Sequence, residues 1–572
     1  LVSIYKVNSQ SREELIEAIK EVNEQNSIQD LKNYSEIIDE NTISDLGLFD
    51  VHKVDEKFYF EINDSLLNRE FLMVTRIVKM AREIPLSRHK MSEQVLRWEK
   101  FNNKILLREA SYSVFASDSL PMREAVSNSN FEPIIASFSI EAINESKNSL
   151  LIDVTELFER DVKSFGFPQS SRKTYNLSSL DTKLSFIESI RSFPLNVESR
   201  HIKTYRSSNT KNGVVSMVLN NSMILLPKVP MKRRYFDERV GWFTTSQTDY
   251  GIDNQEAETV KYSDRWRLEV RDEDIENFKK GELVEPKKPI VYYLDRGTPK
   301  KWKKYIKQGI EDWQAAFEEA GFKNAIIAKD PPTKEEDPDW SPEDIRYSVV
   351  RYLASPSLNA NGPHVSDPRS GEIIESDINW YHNVMKLLRN WYFVQTAAVN
   401  PKARFTEFED KVMGQLIRFV SAHEVGHTIG LPHNMGSSSA YPVDSLRSSS
   451  FTKKFGTAPS VMDYARFNYV AQPEDENVVL TPSEWESPNV GIYDKYSVKW
   501  GYKPILDVSQ DEEMKILKSW IIEKENDMMY RFGSAGIDPS SQTEDLGDDA
   551  IKASEYGIKN LKRIVPKLID WT

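Results

Sequence analysis

The stretch SAHEVGHTIGLPHN, residues Ser421–Asn434, places three of the chain's eight histidines close together, with one glutamate and one glycine at fixed offsets between them. The surrounding residues, Asp410–Ile429, show the apolar spacing of a helix, and side chains four positions apart lie on one face of a helix. His423 and His427 can therefore direct their imidazoles at one ion. Glu424 is rotated aside, so it need not be a ligand and can instead reach a water beside that ion.

The residues that follow complete a ligand set. Gly430 ends the helical pattern, and glycine tolerates the positive φ that a sharp turn requires. After this turn, His433 can swing back as a third ligand. Three neutral imidazoles leave the fourth position of tetrahedral zinc open, which is typical of a catalytic site rather than a structural one. The alternative, three solvated or core histidines on an ordinary amphipathic helix, does not explain the combined spacing. The sequence thus predicts one zinc ion per chain.

Composition narrows the classes of protein to consider. A chain of 572 residues is too long for one ordinary domain, and its 39% hydrophobic residues are enough for packed cores. The net charge of −13 argues against nucleic acid as a partner, because neutralising phosphates requires a basic face. There is no cysteine, so a metal site must use His, Asp, Glu or Tyr. No apolar run reaches the length of a transmembrane segment and no signal peptide is present, and because the chain begins with Leu we expect that a leader has been removed.

The N-terminal half is expected to be rich in β structure. Residues 11–24 have helical spacing and predict a helical segment within residues 1–45. Residues 46–285 predict a largely antiparallel β domain, because runs of β-branched and aromatic residues alternate with polar clusters. These runs are Lys57–Ile62, Phe71–Val78, Lys104–Phe115, Pro133–Ile143 and Val214–Leu226. Since this region shows no catalytic constellation, we expect it to be an accessory domain.

The C-terminal half has a different pattern. The proline-containing segment Gly281–Pro289 predicts a boundary. Residues 286–505 then combine short apolar strands with a long amphipathic helix through Trp302–Ala320, which is typical of an α/β domain. Residues 506–572 predict a helical extension. The predicted fold class is therefore multidomain α+β, with a β-rich N-terminal domain, an α/β catalytic domain and a helical C-terminal extension.

The pattern His-Glu-x-x-His-x-x-Gly-x-x-His resembles that of the metzincin clan of zinc endopeptidases. That clan carries a second signature downstream, a tight turn with a methionine beneath the zinc, and the segment SVMDY offers Met462 for this Met-turn. The tyrosine two places on, Tyr464, matches the astacin and serralysin branches. The resemblance implies either a fifth zinc ligand or a hydrogen-bond donor to the developing oxyanion. A buried tyrosine of the cleft wall is the alternative.

Blocks spread along the chain resemble the large exported zinc metalloproteases of Bacteroidota that carry an uncharacterised N-terminal domain. They include RWRLEV (Arg265–Val270), SDPRSGEI and GIYDKYSVKWGY (Gly491–Tyr502). The resemblance implies an extracytoplasmic protein, secreted, periplasmic or at the cell surface. Anchoring at the surface would depend on an N-terminal leader that this sequence does not include.

Residues and resemblance together predict a zinc-dependent endopeptidase, with Glu424 as the general base and a protein or peptide as the substrate. The segment Ser370–Ile378 resembles the edge strand along which metzincins bind extended substrates, although a plain strand without substrate contact is the alternative. Two other functions stay open. One is a surface module that binds a glycan or protein with little or no hydrolysis, and the other is a zinc hydrolase of a non-peptide amide.

Other metal-binding candidates are weaker. His364 and His382 lack ligand spacing, so we expect solvated or core histidines. The acidic run DLGDD, Asp545–Asp549, could suggest calcium but lacks the alternation of an EF-hand loop. Acids are favoured at the start of a helix, which explains this run better.

Overall fold

The chain forms two compact units. The computed structural model describes residues 31–80, 90–117, 120–251, 255–482 and 490–572. The first unit comprises Leu1–Val229 with Glu343–Arg346, and the second comprises Pro230–Pro342 with Tyr347–Thr572. The helix expected at residues 11–24 lies outside the described residues.

Antiparallel strands dominate the first unit, as the alternation of apolar and polar residues predicts. They are β1 (Ile43–Asp45), β2 (Asp50–Val54), β3 (Lys57–Asn63), β4 (Glu70–Met80), β5 (Lys90–Phe101), β6 (Lys104–Ala110), β7 (Val114–Phe115), β8 (Ile134–Ser139), β9 (Ala142–Asn144), β10 (Ser149–Asp153), β11 (Leu177–Leu180), β12 (Phe186–Ser192), β13 (Asn196–Ser207) and β14 (Val214–Leu225). The helices described in this unit are short: α1 (Tyr34–Ile37), α2 (Met122–Ser129), α3 (Thr155–Glu159) and α4 (Gln169–Thr174).

Two sheets form the body of the first unit. One has five strands in the order β1-β2-β3-β10-β9, and the other has the order β11-β13-β14-β4-β5-β6-β8, with β12 also paired to β13. Their apolar faces share one core, in which the ring of Phe49 lies 5.4 Å from the rings of both Phe60 and Phe71. All five runs predicted as β contain strands, so the β-rich N-terminal region is confirmed.

The second unit contains a mixed sheet. The strands described in the second unit are β15 (Thr244–Asp249), β16 (Glu258–Ser263), β17 (Ile290–Leu294), β18 (Ile326–Lys329), β19 (Ser348–Leu353), β20 (Ala360–Asn361), β21 (Val365–Asp367), β22 (Glu372–Glu375) and β23 (Ile378–Tyr381). Five of them form the mixed sheet. The sheet order is β18-β17-β19-β23-β20, with the first four strands parallel and β20 antiparallel at the edge. Strands β15 and β16 pair with each other, as do β21 and β22.

The expectation that Ser370–Ile378 forms the edge of this sheet is wrong. Within that segment β22 pairs with β21 in a separate two-stranded ladder. The strand that follows, β23, lies between β19 and β20. A plain apolar run does not distinguish an edge strand from an inner one, whereas the two-residue strand β20 is too short to produce a pattern.

Helices make up much of the rest of the second unit. They are α5 (Ile275–Lys279), α6 (Lys300–Glu311), α7 (Gln314–Glu319), α8 (Val384–Thr396), α9 (Asp410–Thr428), α10 (Ser449–Phe455), α11 (Ile492–Tyr502), α12 (Gln510–Lys524), α13 (Ala550–Ile564) and α14 (Leu568–Trp571). The predicted long helix is divided into α6 and α7, and α9 matches the predicted histidine-bearing helix. The mixed α+β multidomain class is thereby confirmed. Within the described ranges, no helix is both long and apolar enough to cross a bilayer.

Close packing against α6 holds α9 in place. The Ser421 hydroxyl donates to the Ile306 carbonyl at 2.8 Å, and the Trp313 indole donates to the Ala422 carbonyl at 2.8 Å. At the contact, a β-carbon on Gly309 would lie 2.6 Å from the Ser421 Cβ, so only glycine lets the two helices approach this closely.

Residues before β17 and at the end of α11 also support α9. The Trp266 indole donates to the Thr428 carbonyl at 2.9 Å, and the Tyr502 hydroxyl donates to the Ile429 carbonyl at 2.7 Å, which satisfies acceptors at the helix end. Trp242 and Val284 belong to the same buried core as α9. The boundary predicted at residue 285 therefore lies inside the second unit. The predicted C-terminal extension also contributes to this core, through Leu517, Ile521 and Ile564.

Candidate metal centre

The helix α9 and the turn after it bring three imidazoles together. His423, His427 and His433 each offer a nitrogen, and these atoms lie within 4.8 Å of one another. His423 Nδ1–H donates to the Val461 carbonyl at 2.7 Å, and His427 Nδ1–H donates to the Leu431 carbonyl at 2.8 Å. Each bond fixes a tautomer and leaves Nε2 with a lone pair turned towards the other histidines.

The three imidazoles fit a metal cation. His423 Nε2 is buried and has no hydrogen-bond partner among the described residues, while His427 Nε2 and His433 Nε2 lie 3.0 Å apart. Burial lowers the pKa of His427 to about 3 and of His433 to about 4, and it lowers the pKa of His423 well below its usual value. The rings are therefore neutral at physiological pH, the form that binds a metal. The Nδ1 hydrogen bonds leave lone pairs on Nε2 of His423 and His427, and three convergent neutral imidazoles match the ligands that zinc takes in proteins.

Gly430 makes the turn that returns His433 to the helix. Its φ is +107°, which disfavours residues with a side chain. A β-carbon at this position would also overlap the Asp264 carbonyl and the Trp242 ring. The Leu431 N–H donates to the Gly426 carbonyl at 2.9 Å and closes the turn.

Met462 lies against α9 at the level of the histidines. Its side chain is fully buried, and a β-carbon on Gly426 would overlap its sulfur. The Met462 carbonyl accepts from the Asn434 N–H at 3.1 Å, and the preceding residue, Val461, is the acceptor for His423. The structure thus brings Met462 together with the three imidazoles that the sequence singled out.

Glu424 is buried on the side of α9 that faces β20. Its carboxylate accepts a hydrogen bond from the Gly362 backbone N–H, just after β20 ends. Burial raises the pKa of Glu424 to about 8, and the Gly362 hydrogen bond and the Arg466 charge oppose this rise only in part. A β-carbon on Gly362 would overlap the Glu424 carbonyl oxygen, so glycine is needed for the strand to approach the helix.

Tyr464 and Arg466 flank the imidazoles. The Tyr464 ring centroid lies 4.3 Å from that of His433, and the Arg466 guanidinium lies 3.7 Å from the Tyr464 centroid. The same guanidinium lies 3.9 Å from the Trp391 centroid, and its Nε donates to Glu544 at 2.8 Å. Burial raises the pKa of Tyr464, and Arg466 partly offsets this, so the phenol remains protonated.

Several residues at the centre were missed by sequence reasoning. Asn434 donates from Nδ2 to the Arg531 carbonyl at 3.1 Å and accepts from the Gly533 N–H at 2.9 Å, which ties the His433 loop to the C-terminal segment. Arg466 and Gly362 are the other residues at the centre that sequence reasoning missed. Only Arg466 had a sequence signal, since it is a charged residue two places after Tyr464. Asn434 and Gly362 depend on tertiary contacts that no local pattern reveals.

The weaker candidates are not members of the metal-ligand cluster, although His364 lies near enough to His427 to lower its pKa. His364 Nε2 is 3.1 Å from Asp264, and His382 Nδ1 is 2.8 Å from the Tyr352 hydroxyl. Neither belongs to the cluster of three ligand nitrogens. Asp549 caps α13 by accepting from the Lys552 N–H at 2.9 Å, in agreement with the expected helix start.

Three family models match parts of the chain. A family model described as Met-zincin matches residues 406–572, which include α9, all three histidines and Met462. Models described as Domain of unknown function (DUF5118) and Domain of unknown function (DUF5117) match residues 31–80 and 89–271. No curated protein and no solved structure matches the chain. The family match at residues 406–572 and the histidine cluster suggest zinc binding and a zinc metallopeptidase.

Proposed function

We propose that this chain is a zinc-dependent endopeptidase. One observation carries the proposal: two imidazoles anchored through Nδ1 to backbone carbonyls turn their Nε2 lone pairs towards a third, with the buried Glu424 carboxylate next to them. His423, His427 and His433 would hold one zinc ion. Zinc bound there would supply Lewis acidity, lowering the pKa of a water molecule and polarising the substrate carbonyl. Extracytoplasmic action on proteins or peptides is part of this proposal.

Glu424 is the proposed general base. Its carboxylate accepts a proton from the attacking water as the new C–O bond forms, and it then delivers that proton to the amine nitrogen as the C–N bond breaks. The Gly362 N–H holds the carboxylate in one orientation, and burial favours uptake of the proton. On α9 Glu424 follows His423 directly, so it can act beside the imidazoles without serving as a ligand.

The substrate would bind along β20. This strand is the antiparallel edge of the mixed sheet, and extended peptides commonly add to a sheet edge through backbone hydrogen bonds. Gly362 follows β20 directly and contacts Glu424, so a peptide on this edge would pass next to the general base. The edge strand of the proposal is therefore β20 rather than Ser370–Ile378.

Tyr464 would stabilise the transition state. Its phenol is protonated and its ring lies beside His433 and His423, with centroids 4.3 and 5.4 Å away. A phenol in this position can donate a hydrogen bond to the oxyanion that forms at the substrate carbonyl. Direct ligation of the metal by Tyr464 in the resting enzyme is the other interpretation. Met462 would serve as the Met-turn residue that packs beneath the imidazoles.

Cleavage of a diverse peptide library tests this function. The wild-type chain with zinc is expected to cut internal peptide bonds, and Glu424→Ala should keep the metal while losing cleavage. His423→Ala should lose both metal and cleavage. If Glu424→Ala retains zinc and cleaves at the wild-type rate, the proposed mechanism is wrong. If the wild-type chain hydrolyses none of the library peptides, the endopeptidase assignment is wrong.

A further inference from the structure

Two residues next to Tyr464 have an unusual backbone conformation. Within the described part of the chain, ten residues other than glycine have a positive φ, and eight of them are Asn or Asp, which tolerate the left-handed region best. The other two are Arg466, with a φ of +56°, and Glu544, with a φ of +66°. Residues with long side chains keep this conformation only where their surroundings determine it, and they cluster at functional sites.

Arg466 and Glu544 bind each other. The Arg466 Nε donates to the Glu544 carboxylate at 2.8 Å, although 78 residues separate the two in sequence. The Arg466 side chain is 13% exposed, so the ion pair is largely shielded from water on that side. The contact joins the C-terminal segment to the segment that carries Tyr464, and it stabilises both residues in the left-handed conformation.

Both residues also contact Tyr464. The Arg466 guanidinium lies 3.7 Å from the centroid of the Tyr464 ring and 3.9 Å from that of Trp391, so this cation packs against two aromatic rings. The Glu544 N–H donates to the Tyr464 carbonyl at 3.1 Å. Arg466 therefore holds the ring of Tyr464 and Glu544 holds its backbone, while the ion pair fixes the two holding groups relative to each other.

Tyr464 depends on such support for the role proposed above. A group that stabilises a transition state has to be held within about 0.5 Å of its effective position by residues that are themselves fixed. The Tyr464 ring lies beside His433 and His423, and the residues that restrain it come from elsewhere in the chain. Trp391 belongs to α8 and Glu544 to the C-terminal segment, so two separate elements fix Arg466 against the ring.

We propose that Arg466 and Glu544 are a positioning pair that holds the Tyr464 phenol at the metal centre, and that their unfavourable backbone conformation persists because of this role. Neither residue is assigned a chemical step. The effect of the pair on turnover rests on the proposed peptidase function. Its effect on the position of the Tyr464 ring does not, so the two effects can be tested separately.

Fluorine NMR measures the Tyr464 ring directly. 3-Fluorotyrosine is incorporated at position 464 of the full-length, zinc-loaded chain, and its chemical shift is compared with that in the unfolded chain. Arg466→Asn removes the guanidinium, Glu544→Asn removes the carboxylate, and asparagine tolerates the left-handed backbone at both positions. We expect each substitution to move the resonance towards its unfolded position, because a ring without a fixed cation against it samples more than one orientation.

Arg447→Asn is the matched control. The Arg447 guanidinium also lies over a tyrosine, 4.6 Å from the Tyr556 centroid, and its Nε donates to Asp475 at 2.7 Å. The described contacts of this side chain include no residue of the metal centre, so the resonance should stay unchanged. An unchanged resonance in both Arg466→Asn and Glu544→Asn, or an equal change in Arg447→Asn, would overturn the proposal.

Kinetics show whether the pair acts through Tyr464. Arg466→Asn should lower kcat about tenfold with little change in KM, because the phenol acts in the transition state. In a Tyr464→Phe background the same substitution should cause no further loss, since no hydroxyl is left to position. Equal losses in the two backgrounds would overturn the role through Tyr464. Absence of cleavage by the wild-type chain would instead contradict the proposed function, and the fluorine comparison would still decide whether the pair holds the ring.

Discussion

Each unit of the chain buries histidine next to glutamate, but the two networks differ in whether they are complete. In the first unit, His52 Nδ1 is 2.8 Å from the Ser44 hydroxyl and its Nε2 is 3.0 Å from Glu61. The Glu61 carboxylate accepts further hydrogen bonds from side chains on three other elements, namely Tyr34, Asn144 and Ser149. Every polar atom of the pair has a partner within the unit, so nothing further is needed to stabilise it.

The network in the second unit is incomplete. His423 Nε2 has no partner among the described residues, the Nε2 atoms of His427 and His433 face each other at 3.0 Å, and Glu424 has one backbone donor. A satisfied buried network stabilises a fold, whereas convergent unsatisfied groups indicate that a ligand belongs there. The same residue types therefore complete a hydrogen-bond network in the first unit and leave convergent nitrogen atoms for a ligand in the second.

The largest effect is expected from Glu424→Gln. The amide fills the same space but cannot accept the proton of the attacking water, so turnover should fall by about 10²–10⁴-fold. Zinc content and thermal stability should stay at wild-type levels, because the imidazoles are untouched. Steady-state cleavage, metal analysis and thermal unfolding of the same preparation check this. A large loss of zinc would show that Glu424 is a ligand.

The same substitution at Glu61, in the first unit, should lower stability and leave turnover unchanged. Glu61→Gln places an amide donor against groups that already donate to this side chain, and breaking a buried hydrogen-bond network of this kind should lower the free energy of unfolding by about 1–3 kcal/mol. Turnover and zinc content of the folded protein should not change. Urea unfolding measures the loss. An unchanged urea midpoint would show that the Glu61 network does not stabilise the fold, which would contradict the proposed difference between the two networks.

A smaller effect on turnover is expected from Gly362→Ala. The added methyl group would overlap the Glu424 carbonyl and move the end of β20, weakening the N–H contact that orients the general base. We expect turnover to fall about tenfold, since small misplacements of catalytic groups are costly. Gly297→Ala is the control, because a β-carbon there would meet its nearest neighbour at an ordinary 3.5 Å. Equal activities of the two variants would contradict the positioning role of Gly362.

The smallest expected effect is the pH dependence of the Glu61 contribution to stability, which is complete at neutral pH and is lost in acid. Burial raises the pKa of Glu61, but hydrogen bonds from His52, Ser149 and Tyr34 outweigh it and lower the pKa to about 2. A carboxylate whose pKa is lower in the folded state stabilises fully above the unfolded value of about 4.5 and loses this contribution as the pH falls towards 2. Wild-type stability should therefore decline over that range more steeply than that of Glu61→Gln. Parallel pH profiles of urea unfolding would contradict the pKa assignment.

Much of the fold could be predicted from periodicity alone. The apolar runs through Phe71–Val78 and Val214–Leu226 coincide with β4 and β14, and the spacing around His423 predicted α9, because both depend on short-range patterns. The division of the chain into two units was harder to predict from the sequence. Trp242 and Trp266 look like residues of the β-rich region in sequence, yet they pack beside α9, and no local pattern reports which distant core an apolar residue joins.

The metal centre was predictable to a similar degree. Ligand spacing on one helix and one turn is a local property, so the imidazole cluster followed from residues Ser421–Asn434 alone. The groups that orient the site come from elsewhere in the chain. Gly362 follows a two-residue strand, and Glu544, which lies in the C-terminal segment, pairs with Arg466. Contacts between residues so far apart in sequence follow from the tertiary fold and not from spacing.

Zinc binding by purified chain is the most direct test of the central claim. The metal is removed with a chelator, zinc is titrated back, and stoichiometry and thermal unfolding are followed together for the wild type and His423→Ala. The wild type should bind one zinc per chain and be stabilised by about 4 kcal/mol at a thousandfold excess over the dissociation constant. His423→Ala should show neither effect. Failure of the wild type to bind zinc, or equal affinity in the variant, would contradict the assignment of the three histidines as the metal site.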